Sequence, residues 1–429
     1  MIDIQVLRED PERLREAIRV KGIGEPSMVD RLAALDVRRR ETLTRLQDVQ
    51  AQLNTTSRQI GEYMRSGRRA DAEDLIEAST RLKAGTKELE ETLNAIEKEL
   101  DRGLLDLPNI PHPSVPLGRA SNDNVVVTEH GQRPSFDFPA KAHWDLAETH
   151  GLIDFERGAK VAGAGFPVYV GRGARLQRAL VAFFLDTAVE QGGYTELQSP
   201  LLVNADSARG TGQLPDKEEL MYEVQRDELF LIPTAEVPVT NLYRDEILEE
   251  GRLPIKLAAY TPCFRREAGS HGTTVRGLNR LHQFDKVELV QFVEPGSSYS
   301  ALEELRKDAE RPLKALGLPY RVLLMCTGDM GFTQSKKYDL EVWSPGQERW
   351  LEVSSISNFE AFQARRMQIR YRDDRQRKPA LVHTLNGSGL ALPRVVAALL
   401  EHYQQADRSI VIPEALRPYT RFDRIGGAL

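Results

Sequence analysis

With 429 residues, 41% hydrophobic and 28% charged, the chain is long enough to bury a large core and to hold two domains. A formal net charge of -6 excludes attraction of nucleic acid by the molecule as a whole, so any RNA contact must come from a local patch. Two cysteines, Cys263 and Cys326, exclude a disulfide framework and a cysteine-rich zinc site, and a charged N-terminus without an export signal or later membrane-length run leads us to expect a cytoplasmic protein with no membrane partner.

Residues 1–26 read as a strand-like start followed by a short helix, with Asp10-Pro11 suited to its beginning and Gly22 and Gly24 to its end. From Asp30 the pattern becomes heptad. Leu32, Leu46, Leu53 and Ile60 recur with Leu35 and Val49 beside them, Ser66-Gly67 breaks the series, and Leu75, Leu82, Leu89 and Ile96 resume it with Leu93 and Leu100. The spacing predicts an antiparallel two-helix coiled coil over about 30–101, on the order of 50 Å long at 1.5 Å per residue. Nine arginines against four acidic residues between Arg31 and Arg69 make the first helix and its turn basic, while the returning helix is acidic. The helices can neutralise each other, but Arg65, Arg68 and Arg69 crowd the turn, where a phosphate contact is expected.

LPNIPHPSVP (107–116) cannot continue a helix, because its four prolines lack a backbone donor, and it reads as a linker. Phe136-Phe138 and His143-Trp144 suit surface or domain packing. An apolar helix around Leu176–Val189 precedes Gly192-Gly193 and a strand over Tyr194–Leu202, whose Pro200 suggests an edge or an interface. In PTAE (233–236) the hydroxyl of Thr234 and the carboxylate of Glu236 can both receive an ammonium, although the tetrapeptide also reads as an N-cap for a helix near Val237.

TPCFRREAGSHGTTVRGLNRLHQFDKVE (261–288) reads as a hairpin whose central Ala268–Gly277, with three glycines, suits a long mobile loop. Alternation puts Arg265 and Glu267 on one face of the first arm, and Phe284, Lys286 and Glu288 on one face of the second. Such a set offers a guanidinium for an anion, a ring for a base and carboxylates for amino groups, and it is equally a solvated hairpin with paired charges. Asp339–Trp343 and Trp350–Ser354 bracket the turn SPGQER and form a second hairpin, with Asp339 and Glu341 on one face and Glu352 and Ser354 on another. These oxygens suit Mg²⁺ accompanied by phosphates, or form a solvated acidic face. Gln363-Ala364-Arg365-Arg366 is a further phosphate contact or a helix surface. LNGSGLALPR (385–394) reads as a glycine-rich turn before an apolar helix, with Arg394 supplying a fixed charge; no Walker loop occurs.

The long arm, Gly193-Tyr194 to Pro200, TAE at 234–236, FRREAGS at 264–270, RGLNRLHQFDKVE at 276–288, TGDMGF at 327–332 and GSGLALPR at 387–394 together closely resemble the bacterial seryl-tRNA synthetases. The resemblance spans essentially the whole chain. It implies an α+β fold in which a class II antiparallel sheet is flanked by helices. A tRNA-binding domain would occupy 1–106, the linker 107–120 and the catalytic domain 121–429, and the protein would work as a homodimer through Pro200.

It further implies ATP and Mg²⁺, serine activation to seryl-adenylate, and transfer to tRNA(Ser) and, where the organism has one, to tRNA(Sec). Carried over position by position, Thr234, Ala235, Glu236, Arg265, Glu288, Asn386 and Ser388 would bind serine. Arg265, Arg266, Glu267, Leu281, Phe284, Glu352, Val353, Ser354, Ser355 and Arg394 would bind ATP, Glu352 and Ser355 would hold the metal, and Arg265 and Arg394 would be catalytic. Arg266, Thr273 and Ile356 depart from the usual serine, lysine and cysteine of the resembling sequences. A carrier-protein ligase would lack the arm, and a coiled-coil interaction protein with a dead active site would have no use for intact Arg265, Glu267, Glu288 and Arg394.

Overall fold

The computed structural model describes residues 1–249, 251–267, 275–373 and 378–426, and it divides into two units, Met1–Pro108 and Asn109–Leu429. The first unit is wholly helical. Asp3 caps α1 (Ile4–Glu9) by accepting from Gln5 N–H at 2.9 Å, and Leu7 is buried, so the strand-like start expected from the sequence is instead a capped helical turn. α2 (Pro11–Lys21) begins and ends as its sequence signals indicate: Asp10 accepts from Arg13 N–H at 3.2 Å, and Gly22 closes the helix.

α3 (Ser27–Arg65) and α4 (Arg69–Leu105) form the expected helical hairpin. Leu32, Leu35, Leu46, Ile96 and Leu100 are buried along its seam, whereas Leu53, Ile60, Leu75, Leu82 and Leu89 are half-buried. Two helices alone can cover only one side of each seam residue. Near the base Asp36, 1% exposed, receives Arg8 through two hydrogen bonds of 2.8 Å, with Arg40 at 3.1 Å. The bonds from Arg8 outweigh burial and hold its carboxyl below the usual range.

The second unit is built on eight strands: β1 (Val125–His130), β2 (Thr195–Leu197), β3 (Ile255–Phe264), β4 (Gln283–Val293), β5 (Tyr320–Leu324), β6 (Lys336–Ser344), β7 (Arg349–Asn358) and β8 (His383–Ala391). Their order is β1-β5-β6-β7-β8-β4-β3-β2, antiparallel throughout except for the edge pair β3 and β2. Helices α5 (His143–Thr149), α6 (Arg172–Asp186), α7 (Glu236–Thr240), α8 (Ser298–Ala315), α9 (Phe362–Met367) and α10 (Leu392–His402) surround it.

Alternation along β4 places Val287, Leu289 and Val293 in one core with Leu302 and Leu305 of α8 and Val395 and Leu399 of α10. Val290 and Phe292 enter a second cluster with Ala364 and Met367 of α9. Each of the Val, Leu, Phe and Met side chains among them stabilises the unit by roughly 1.5–3 kcal/mol on full burial. On the same face as Val290 and Phe292, Lys286 and Glu288 turn toward a pocket. Among the described residues no helix is long and apolar enough to cross a membrane, and Cys263 and Cys326 are both free and buried.

Three local expectations change. The strand expected over Tyr194–Leu202 is only Thr195–Leu197, and Pro200 lies in the connection before Leu202–Asn204, consistent with a residue that cannot donate to a ladder. β3 ends at Phe264, so Arg265 and Glu267 do not share a strand face; Glu267 has φ +48°. Gly387 and Gly389 lie within β8, where an added Cβ would meet Ile356 and Leu289 side chains at 3.0 Å; they serve strand packing, not a turn. His143 is fully buried, which selects packing over surface from the two alternatives its sequence context leaves open. The loop expected over Ala268–Gly277 lies largely outside the described residues, as does Thr273.

Candidate active site

β4, β7 and β8 form the floor of a pocket of about 350 Å³. Phe284, Lys286 and Glu288 rise from β4, Glu352 to Ser355 and Ser357 from β7, and Asn386 and Ser388 from β8. Register explains the grouping: Glu288 stands opposite Ser388, and Asn386 opposite Ser357. Thr234 and Glu236, Arg265 and Glu267, and the segment 278–281 supply the walls, with Arg394 in the first turn of α10 at the rim.

At one end lies a buried polar set. Thr234 Oγ1 donates to Glu288 Oε2 at 3.2 Å and accepts from Lys286 Nζ at 2.7 Å, while Lys286 pairs with the Glu288 carboxylate. Thr234 also accepts from the Glu236 N–H at 3.2 Å, so the hydroxyl serves the start of α7 and the pocket together. Gln363 Nε2 donates to Glu236 Oε1 at 2.7 Å and its Oε1 accepts from Thr384. Burial, and then the neighbouring Glu288, push the Glu236 carboxyl upward. Asn386 is 6% exposed, and its Nδ2 has no hydrogen-bond partner among the described residues. Such a donor is poised for an acceptor brought by a ligand.

At the other end the groups suit a nucleotide. The Arg265 guanidinium lies 5.1 Å from the Phe284 ring centroid, and its Nε donates to Pro233 O at 3.3 Å. Glu267 pairs with Arg280 at 2.5 Å. Arg394 donates from Nε to Asn279 O at 3.0 Å and from Nη1 to Glu352 O at 2.8 Å, with the Glu352 carboxylate 3.7 Å away. Burial pulls the Glu352 carboxyl up, but Lys337, Arg394, Arg265 and Lys286 outweigh it and hold it below the usual range. Ser354 Oγ donates to Ser388 O at 2.6 Å, while Ser355 is half-buried at the wall.

Of the residues singled out in the sequence, Ala235 and Arg266 do not line the pocket: Ala235 is packed in the cluster beneath it, and Arg266 is exposed, its N–H donating to Leu220 O at 3.0 Å. Asp339 and Glu341 also stand apart from it, paired with Lys337 and Arg321. Gln363 belongs to the buried set, although its sequence context suggests a phosphate contact or a helix surface. Lys217, Asn279, Arg280 and Lys337 line the pocket as well; Asn279 and Arg280 fall within the stretch 276–288 singled out in the sequence, whereas nothing in the local pattern around Lys217 or Lys337 marks them.

In the other unit, Arg65, Arg68 and Arg69 are exposed at the α3–α4 turn. Arg65 Nε donates to Gly61 O at 3.1 Å, and Arg68 pairs with Asp71 at 2.6 Å and lies over the Tyr63 ring. The turn therefore supplies local partners to Arg65 and Arg68 while leaving both exposed.

Comparison with known proteins finds two families. The tRNA synthetase class II core domain (G, H, P, S and T) matches residues 221–403, and the seryl-tRNA synthetase N-terminal domain matches residues 1–111. A serine–tRNA ligase of Salinibacter ruber is 61% identical, covering 99% of both chains, and one of Exiguobacterium sibiricum is 52% identical, covering 98% of both. Among solved structures, seryl-tRNA synthetase from Pyrococcus horikoshii complexed with ATP superposes with a TM-score of 0.95 at 35% identity, covering 100% of both chains.

Proposed function

Because the chain belongs to the serine–tRNA ligase family, its reaction is the attachment of serine to tRNA, and we propose that the pocket on β4, β7 and β8 holds serine and ATP side by side. The reading is supported above all by the polar corner in which Thr234, Glu236 and Glu288 line one pocket with Asn386, whose Nδ2 has no partner among the described residues, and with Arg265 and Phe284. Serine would place its ammonium on Thr234 and the carboxylates of Glu236 and Glu288, with Asn386 and Ser388 near its hydroxyl. Adenine would stack on Phe284 beside Leu281 and Val353, with Glu267 receiving its amino group. Arg265 would hold the α-phosphate with the serine carboxylate, and Arg394 the γ-phosphate.

The chemistry then needs alignment more than a protein nucleophile. A serine carboxylate oxygen bonds to the α-phosphorus as the bond to pyrophosphate breaks, giving seryl-adenylate. Next a ribose hydroxyl at the tRNA 3′ end bonds to the carbonyl carbon, its proton is released, and AMP departs. Arg265 and Arg394 balance charge that builds on the phosphates.

The donor set fits Mg²⁺. Among the described residues no three His, Cys, Asp or Glu side chains form a metal cage, but the ionised Glu352 and the Ser355 hydroxyl give two hard oxygens beside the phosphate positions. An ion that keeps phosphates and waters as its other ligands suits such a partial site. When bound it supplies charge neutralisation.

The acceptor in this reading is tRNA(Ser), with tRNA(Sec) where the organism has one, held by Arg65, Arg68 and Arg69, and the protein works in the cytoplasm as a homodimer. Exposed Leu201, Leu202 and Tyr260 near the β2 edge support the pairing. The deciding experiment is amino-acid-dependent exchange of labelled pyrophosphate into ATP. Serine should drive it, with threonine, alanine and glycine at least about a hundredfold slower, because a missing hydroxyl leaves buried polar atoms unpaired and threonine is excluded by shape. Equal exchange with alanine would overturn the pocket assignment.

A further inference from the structure

A buried polar cluster away from the substrate positions ties four segments of the second unit together. His143 in the first turn of α5 and Glu401 in the last turn of α10 are both fully buried. Glu401 Oε1 accepts from the His143 N–H at 2.9 Å and stands 2.8 Å from His143 Nδ1. Its Oε2 accepts from Ser344 Oγ and, at 3.1 Å, from Gly346 N–H. On the far side of the imidazole, Nε2 accepts from Leu278 N–H at 2.9 Å. A ring nitrogen that accepts leaves the other to donate, so Glu401 and Leu278 together select the Nδ1–H tautomer. Gly277 makes the approach possible: it has φ +68°, and a Cβ there would lie 2.3 Å from His143 Nε2.

Gln347, in the β6–β7 turn, completes the cluster. Its Nε2 donates to Glu401 Oε1 at 3.1 Å and to Ser344 Oγ at 2.9 Å, and its Oε1 accepts from Asn279 Nδ2 at 2.9 Å and Arg349 Nε at 3.2 Å. The cluster thus grips two successive residues, Leu278 by its backbone and Asn279 by its side chain. Asn279 O is the acceptor for Arg394 Nε, and Glu352, on the strand that leaves the Gln347 turn, offers the carbonyl for Nη1. Arg394 and Glu401 occupy the first and last turns of one helix, so α10 is held at both ends by the same connected set.

We propose that His143, Glu401 and Gln347 are positioning residues for Arg394: by fixing the Asn279 carbonyl and the β6–β7 turn they aim its guanidinium into the nucleotide end of the pocket. The inference rests on the reading of Arg394 as an ATP contact. Its signature is a defect in ATP use that disappears when Arg394 is already gone, since a group that acts through another has nothing left to align.

The test uses the full chain in serine-dependent pyrophosphate exchange. Gln347→Met keeps side-chain volume at a half-buried position while removing both hydrogen-bonding ends. Its kcat/KM for ATP should fall at least about tenfold, with KM for serine within about twofold of the parent. In an Arg394→Ala background the same substitution should cost less than about twofold. His143→Gln, which retains an amide able to face Glu401 and Leu278, should be milder than His143→Leu in the same assay. An ATP defect of equal size with and without Arg394, an equal loss toward serine, or unchanged ATP kinetics in Gln347→Met overturns the proposal. If Arg394→Ala alone leaves ATP use unchanged, the assignment of Arg394 falls instead, which separates that failure from failure of the positioning role.

Discussion

Lys286 brings an ammonium of the protein to the corner proposed for the ammonium of serine, 2.7 Å from Thr234 Oγ1 and paired with Glu288. The pairing lets Glu288 stay close to Glu236 while both are withdrawn from water, and it makes the charge of Glu288 serve two cations at once when substrate binds. Glu288→Gln conserves volume and removes that charge. Removing a hydrogen bond to a charged partner costs about 1.5–3 kcal/mol, so serine-dependent exchange should fall by roughly tenfold to a hundredfold or more. The loss should appear at saturating ATP. Activity within about threefold of the parent, in a variant that unfolds at the same temperature, would remove Glu288 from the serine site.

His383 belongs to the scale of elements, because it opens β8 and its Nδ1 lies 2.9 Å from Ser298 Oγ at the start of α8. Burial lowers its pKa to about 4, with Glu360 acting to raise it and Arg365 to lower it. Above about pH 6.5 the ring is neutral whether the chain is folded or not; between about 6.5 and 4 the unfolded chain takes a proton that the folded one refuses. Stability linked to this junction therefore falls as pH drops through that window, by at most about 3 kcal/mol for the gap between about 6.5 and about 4. His383→Asn should remove that part of the pH dependence, measured as the difference in denaturant unfolding between the two proteins. A difference that stays constant from about pH 7 to about pH 4 would contradict the assignment.

The same scale shows how much of the molecule its sequence makes legible. Periodicity is local, so the heptads of α3 and α4 and the alternation of Phe284, Lys286 and Glu288 can be read directly. Capping competes with strand propensity over a few residues, which is why Asp3 turns a strand-like start into α1. Gly387 and Gly389 suggest a turn and sit in a strand, because a glycine that permits a turn and one that permits close strand packing look identical in sequence. Gln363 and Gln347 are not legible as site and support residues: their partners, Glu236 and Glu401, are 127 and 54 positions away and meet them only through the folded sheet.

Across the whole molecule, the division at Pro108 separates the helical arm from the unit that contains every residue of the pocket. Adenylate formation in the proposed reading uses no residue before that point, whereas recognition of tRNA is assigned to the arm. Replacing residues 30–100 by a short flexible connection should therefore leave serine-dependent pyrophosphate exchange within about threefold of the parent and reduce tRNA charging by at least about a hundredfold. Arg65→Ala with Arg68→Ala and Arg69→Ala is the gentler version. Removing a cation from a phosphate makes binding weaken less steeply with salt, so the triple variant should bind tRNA less tightly at low salt and converge toward the parent as salt rises. Arg68, already engaged by Asp71 and Tyr63, should account for less of the loss than Arg69 when each is changed alone. Full tRNA charging without the arm would move recognition onto the second unit and leave the basic turn as a device for solubility; loss of pyrophosphate exchange together with charging would show that the arm supports the pocket's fold, and that the two units are not energetically separate.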